Sequence, residues 1–63
     1  MTTTVIKSGT RREYWIIPTF GAWRIERHLT ATSFLSMTWS ATALVEAVDI
    51  VRGQIAWDLD RYE

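Results

Sequence analysis

Side chains able to carry out catalysis are few in this sequence of 63 residues. It has no cysteine and one histidine, His28, so it can assemble neither a thiolate metal site nor a histidine ligand set. Asp58 and Asp60 have the Asp-x-Asp spacing of some metal ligands, but on a helix the two side chains point about 200° apart. We therefore predict solvated carboxylates, a surface histidine, no metal, no cofactor and no enzymatic activity.

The charged side chains are divided by sign along the chain, although seven Lys and Arg balance seven Asp and Glu. Residues 1–30 carry net positive charge and residues 31–63 net negative charge, which on a folded surface can produce one basic and one acidic face. The hydrophobic share of 48% is typical of a folded chain. We predict a single small domain over residues 1–63. With enzymatic activity not predicted, the function that remains is binding to a larger partner.

Strand patterns fill the first half of the chain. Residues 14–17 are apolar on both alternating sides, which is typical of a central strand, and residues 18–21 have the composition of a turn. Residues 22–29 alternate cleanly up to Arg27, where we expect the strand to fray. With short runs at residues 5–7 and 34–39, the pattern predicts three or four strands within residues 3–39.

Apolar residues at intervals of three and four predict a C-terminal helix. The predicted core stripe is Leu44, Val48, Val51, Ile55, Leu59 and Tyr62. Ser40 has the chemistry of an N-cap, so the helix is predicted to begin near residue 41. Gly53 leaves the end open between residues 52 and 61. We favour the longer helix, because the apolar phase continues past a glycine that costs only about 1 kcal/mol.

These patterns predict an α+β fold, in which a small antiparallel sheet of three or four strands packs against one C-terminal helix. Trp15, Trp23 and Trp39 fit the apolar side of a strand and are predicted to fill the core. Trp57 lies off the helical stripe beside Ile50, so on a continuous helix the pair would form an apolar anchor with a polar rim. If Gly53 ends the helix, Trp57 packs inside instead.

The small size, the lack of catalytic residues, the aromatic content and the acidic helix resemble the phage-encoded inhibitors of bacterial immunity, the anti-CRISPR proteins. The resemblance is one of size and architecture, without a shared motif. It implies a stoichiometric inhibitor that docks on a bacterial CRISPR effector complex and blocks target DNA or nuclease recruitment. Acidic members of that group present carboxylates where DNA phosphates would lie. The residues implied to bind the partner here are Glu46, Asp49, Ile50, Trp57, Asp60 and Glu63.

An alternative function is DNA binding through a basic sheet. Arginine beside an aromatic ring supplies phosphate contacts and base stacking. The candidate residues are Lys7, Arg11, Arg12, Tyr14, Arg24 and Arg27. The element order is similar to that of the arm-type DNA-binding domains of phage integrases, which would imply an integrase-arm-like protein or a small phage regulator. The zero net charge counts against this alternative, since nucleic-acid-binding domains tend to be basic.

A membrane location is not predicted. The N-terminal residues lack an apolar run of signal-peptide length, and the charge-free window 29–45 is too short and too rich in Ser and Thr to span a bilayer. We expect a protein of the bacterial host cytoplasm. The pattern leaves the oligomeric state and the bound effector open.

Overall fold

The computed structural model describes residues 2–30 and 34–61. It contains β1 (Thr4–Ser8), β2 (Arg12–Thr19), β3 (Ala22–Leu29), β4 (Phe34–Ala41) and α1 (Leu44–Arg61). The strands form one antiparallel sheet in the order β1-β2-β3-β4, and α1 packs on one side of it. This confirms the predicted α+β fold. Within the described residues, no helix combines the length and apolar character needed to cross a bilayer.

Two tight turns set the register of the first three strands. Gly9 and Gly21 adopt φ values of 66° and 79°, a region that glycine enters without the steric cost of a Cβ. The second turn is the shorter, since Thr19 pairs directly with Ala22. The turn predicted over residues 18–21 is therefore shorter than expected: Pro18 and Thr19 belong to β2, and residues 20–21 join two eight-residue strands in a direct hairpin.

Contrary to the prediction, β3 does not fray at Arg27; instead, the pairing between β3 and β4 changes register there. β3 continues to Leu29, and its pairing with β4 shifts between Arg27 and His28. The Arg27 Nε and Nη2 groups donate to Ser36 Oγ at 3.0 and 2.7 Å. A hydroxyl partner across the irregularity thus accommodates the cation within the sheet.

The core lies between α1 and the sheet. Its buried members are Tyr14, Ile16, Ile25, Ala41, Ala47 and Val51. Trp23 and Trp39 pack against this cluster and are partly buried, in keeping with their predicted place. The position of Tyr14 and Ile16 on β2, paired on both sides, confirms that residues 14–17 belong to a central strand.

The helix differs from its prediction at one end and in its rotation. It begins at Leu44, and Ser40 lies within β4, so the N-cap assigned to Ser40 was wrong. Gly53 does not end the helix, which confirms the longer alternative. Leu44 and Leu59 are 49% and 57% exposed, so α1 is rotated away from the predicted stripe. Tyr62, the last member of that stripe, lies outside the described residues.

Candidate functional site

Asp58 lies on the buried side of α1, together with Ala47 and Val51. Its side chain is fully buried, and its Oδ2 accepts hydrogen bonds from the Tyr14 hydroxyl at 2.6 Å and the Ser8 hydroxyl at 3.0 Å. Arg12 Nε lies 3.8 Å from Asp58 Oδ1. We call these four residues the Asp58 cluster. The prediction of a solvated carboxylate at this position was wrong, whereas Asp60 is exposed as predicted.

The Asp58 cluster holds Tyr14 in its neutral form. Burial raises the pKa of Tyr14 to about 12. The hydrogen bond to Asp58 and the negative charge of Asp58 also raise this pKa. The nearby Arg27 partly opposes this rise in pKa. A phenolate would stand against a carboxylate in a buried setting, so Tyr14 serves as a hydrogen-bond donor that joins the sheet to the helix.

On the opposite side of α1, three carboxylates lie on one exposed surface. Glu46, Asp49 and Asp60 fall within about 60° of one another around a helix of 3.6 residues per turn, and all three are exposed. We call this surface the acidic helix face. Arg52 and Arg61 fall outside that arc. The acidic helix face therefore presents negative charge without a cation from its own helix inside the arc.

The first turn of α1 also favours a carboxylate. Thr42 Oγ1 donates to Glu46 Oε2 at 3.2 Å, and the unsatisfied backbone N–H groups of the first turn carry partial positive charge. Glu46 thus has a local structural role besides its place in the acidic helix face.

Trp57 lies at the border of the acidic helix face. Its side chain is 41% exposed, and the guanidinium carbon of Arg61 lies 5.0 Å from the centre of its ring. This is a cation–π contact, which orients the exposed indole. Ile50 packs against the core cluster and is partly buried, so the predicted outer pair reduces to Trp57. Glu63, also predicted to bind the partner, lies outside the described residues.

The exposed apolar residues on the other side of the acidic helix face were not predicted from the sequence. Val45 is 69% exposed, and Leu44 and Leu59 are about half-exposed. The predicted stripe placed both leucines inside. Hydrophobic spacing alone did not indicate that the carboxylate of Asp58 would lie on the inner side of α1. The acidic helix face is therefore flanked by apolar side chains on both sides.

The side of the sheet away from α1, which we call the open sheet face, carries a continuous polar network. Glu26 binds Arg24 Nε at 2.7 Å and His28 Nε2 at 2.9 Å. The His28 ring stacks on Trp15, with centroids 4.2 Å apart, and Trp15 Nε1 donates to Glu13 Oε1 at 3.3 Å. Hydrogen bonding to His28, together with the charge of Arg24, holds the pKa of Glu26 below its usual value.

This network corrects the predictions for two aromatic residues. Trp15 was predicted to fill the core, but it lies on the open sheet face and is only partly buried. His28 was predicted to be a surface residue, but its side chain is 17% exposed, between Glu26 and Trp15. The acidic and basic groups of the network neutralise one another, so the open sheet face is not a basic surface.

The structure does not bring the predicted DNA-binding residues together. Tyr14 is fully buried in the core and offers no ring for base stacking. Arg12 and Arg27 point to the helix-covered side, where they contact Asp58 and Ser36. The exposed members of the set are Lys7, Arg11 and Arg24. Arg24 is already paired with Glu26, so Lys7 and Arg11 are the exposed cations of the set that remain to meet a phosphate.

Within residues 2–30 and 34–61, no group of three or more His, Asp or Glu side chains is placed to hold a metal ion. Comparison of the chain with models of protein families, with curated proteins and with solved structures finds no match. The surfaces of the chain itself are therefore the basis for inferring its function.

Proposed function

We propose that this protein is a non-enzymatic, stoichiometric inhibitor that docks on a larger protein complex through the acidic helix face and Trp57. The supporting observation is the placement of Glu46, Asp49 and Asp60 on one exposed arc of α1, beside an indole that is 41% exposed. Carboxylates complement a basic surface, and tryptophan is enriched among the residues that contribute most to binding at interfaces.

The charged and apolar parts of this surface act at different stages of binding. Coulomb attraction between the carboxylates and a basic groove speeds the encounter and selects its orientation. Desolvation of Trp57 in the complex slows release, and most differences in affinity between related complexes arise from the dissociation rate. Burial of Asp58 supports both stages, because it fixes the rotation that turns the other carboxylates outward.

The partner we propose is a bacterial CRISPR effector complex, and the source is a phage or another mobile element. The small size, the sheet-and-helix architecture and the acidic helix support this proposal through their resemblance to anti-CRISPR proteins. In this mechanism Glu46, Asp49 and Asp60 lie in a groove that otherwise receives phosphates of the target DNA. Inhibition then requires one protein per blocked groove and no turnover.

The charge part of the proposal is tested by removing carboxylates and measuring inhibition of DNA binding by purified CRISPR effector complexes. We expect Glu46→Gln with Asp49→Asn to raise the half-inhibitory concentration about tenfold. The control, Thr3→Lys with Thr19→Lys, changes net charge equally at exposed positions outside α1 and should inhibit like the wild type. Unchanged inhibition by the folded acidic-face variant would remove this surface from the mechanism.

The anchor is tested separately. Trp57→Ala should shorten the lifetime of the complex, whereas Leu59→Ala, at a more exposed apolar residue on the other border of α1, should leave it unchanged. Equal lifetimes for both variants would contradict the role of Trp57. If no effector complex is inhibited by the wild type, the choice of partner is wrong.

The DNA-binding alternative predicts a different result. The protein alone would bind duplex DNA with an affinity that falls steeply as salt rises, and Arg11→Ala or Lys7→Ala would weaken it. We prefer the protein partner because Tyr14, Arg12 and Arg27 lie on the helix-covered side of the sheet.

A further inference from the structure

β4 forms one edge of the sheet and lacks the usual protection of an edge strand. Its eight residues, FLSMTWSA, include no charged side chain and no proline. Among the described residues, β3 is the only strand that pairs with it. An edge strand presents a row of backbone N–H and C=O groups, and proteins commonly guard it with charge, proline or short length.

The other edge of the sheet is different. β1 has five residues and contains Lys7, whose charge and exposure disfavour pairing with a further strand. On β4, by contrast, Leu35 and Met37 are 41% and 49% exposed. Exposed apolar side chains occur on both edges, since Val5 of β1 is 47% exposed. Its greater length and its neutrality therefore make β4 the edge suited to receive another strand.

We propose that β4 pairs in antiparallel orientation with β4 of a second copy of this chain. A neutral strand is complementary to itself, since self-pairing opposes no like charges. The irregularity opposite Arg27 bends the strand near Ser36, so the pairing centres on Thr38. A twofold axis through this point gives one eight-stranded sheet, with both helices on the same side.

The assembly closes at two copies. An isologous contact uses the same strand from each copy, and each dimer then ends in two β1 edges that carry Lys7. Pairing also covers part of the exposed surface of Leu35 and Met37. In a chain of 7.3 kDa, whose small core buries few side chains completely, this adds to a limited amount of covered apolar surface.

The test is the concentration dependence of mass, measured by light scattering and sedimentation on the full chain. The wild type should move from 7.3 kDa toward twice that value as concentration rises. Thr38→Lys should remain at the monomer mass, because two lysines meet at the twofold axis. Thr4→Lys places the same substitution on β1 and should dimerise like the wild type.

Amide hydrogen exchange on the wild type makes the test independent of any variant. The amides of β4 should exchange more slowly at high concentration, while those of β1 stay unchanged. A wild type that is monomeric throughout, a dimer that survives Thr38→Lys, or a dimer that Thr4→Lys dissociates would overturn the proposal. So would a monomer whose β4 amides are protected only when an effector complex is added, which would assign this edge to a foreign strand.

Discussion

Asp58 and Asp60 are two residues apart on the same helix, yet they are in opposite environments. Asp58 is fully buried, with two hydroxyl donors and a guanidinium around it, whereas Asp60 is exposed on the acidic helix face. A buried carboxylate depends on every partner it has, because the interior does not screen or solvate it. An exposed carboxylate is solvated by water and is free to meet a partner.

The two sides of α1 therefore have different roles: the inner side holds the fold together, and the outer side is available for binding. The inner side of α1 is specified by contacts to β1 and β2, so substitutions there should change the free energy of unfolding. The outer side makes few contacts, so substitutions there should change binding and leave the fold intact.

The largest effect is expected from Asp58→Ala. Removing one member of a buried ion pair typically costs about 3–5 kcal/mol, since the remaining groups stay buried. In this variant Tyr14 and Ser8 lose their acceptor, and Arg12 loses the nearby carboxylate. Urea denaturation should show a large fall in the free energy of unfolding, or a chain that no longer folds.

Asp60→Ala is the matched control, because it removes the same group from the exposed side of the same turn of α1. It should change the free energy of unfolding by no more than about 0.5 kcal/mol. If the two variants are equally stable, the contrast between the inner and outer sides is wrong.

Local patterns were sufficient to predict most of the fold but not the Asp58 cluster. The alternation in β3 and the spacing along α1 are local properties. They were enough to predict the sheet and a long helix that continues past Gly53. The donors of Asp58 lie 44 and 50 residues away, so no window of sequence pairs them with the carboxylate. For the same reason Leu44 and Leu59 were predicted inside.

The two sides of β2 show a second limit of sequence reasoning. Residues 14–17 are apolar at every position, so the pattern identified a central strand without indicating which side the helix covers. The structure places Tyr14 in the core and Trp15 on the open sheet face. The acidic helix face was easier to predict, because three of its residues are charged and a continuous helix was enough to align them.

An intermediate effect is expected from Tyr14→Phe, which keeps the ring and removes one donor from Asp58. Loss of a hydrogen bond to a buried charged group costs about 1–3 kcal/mol. The Ser8 donor remains, so the variant should be more stable than Asp58→Ala. Denaturation near neutral pH measures this order.

The same variant tests the raised pKa of Tyr14. In the folded protein this pKa rises from 10.0 to about 12, so between these values the folded state keeps a proton that the unfolded state has released. Stability conferred by this proton is complete below pH 10.0 and is lost as pH rises toward 12. The free energy of unfolding of Tyr14→Phe should therefore fall less steeply with pH over that range than that of the wild type. An unchanged slope would contradict the raised pKa of Tyr14.

A change of opposite sign, smaller than those of Asp58→Ala and Tyr14→Phe, is expected from Gly53→Ala, on the outer side of the helix. Gly53 lies between Asp49 and Asp60 on the acidic helix face, and a Cβ added there would have no atom within 4 Å beyond its chain neighbours and the adjacent backbone of α1. Alanine has the higher helix propensity and leaves the unfolded chain less conformational freedom, so the free energy of unfolding should rise by about 0.5–1 kcal/mol. Thermal denaturation and helical circular dichroism measure the change. A loss of stability would mean that the outer side of α1 packs against something, and the division between the two sides of this helix would then have to be abandoned.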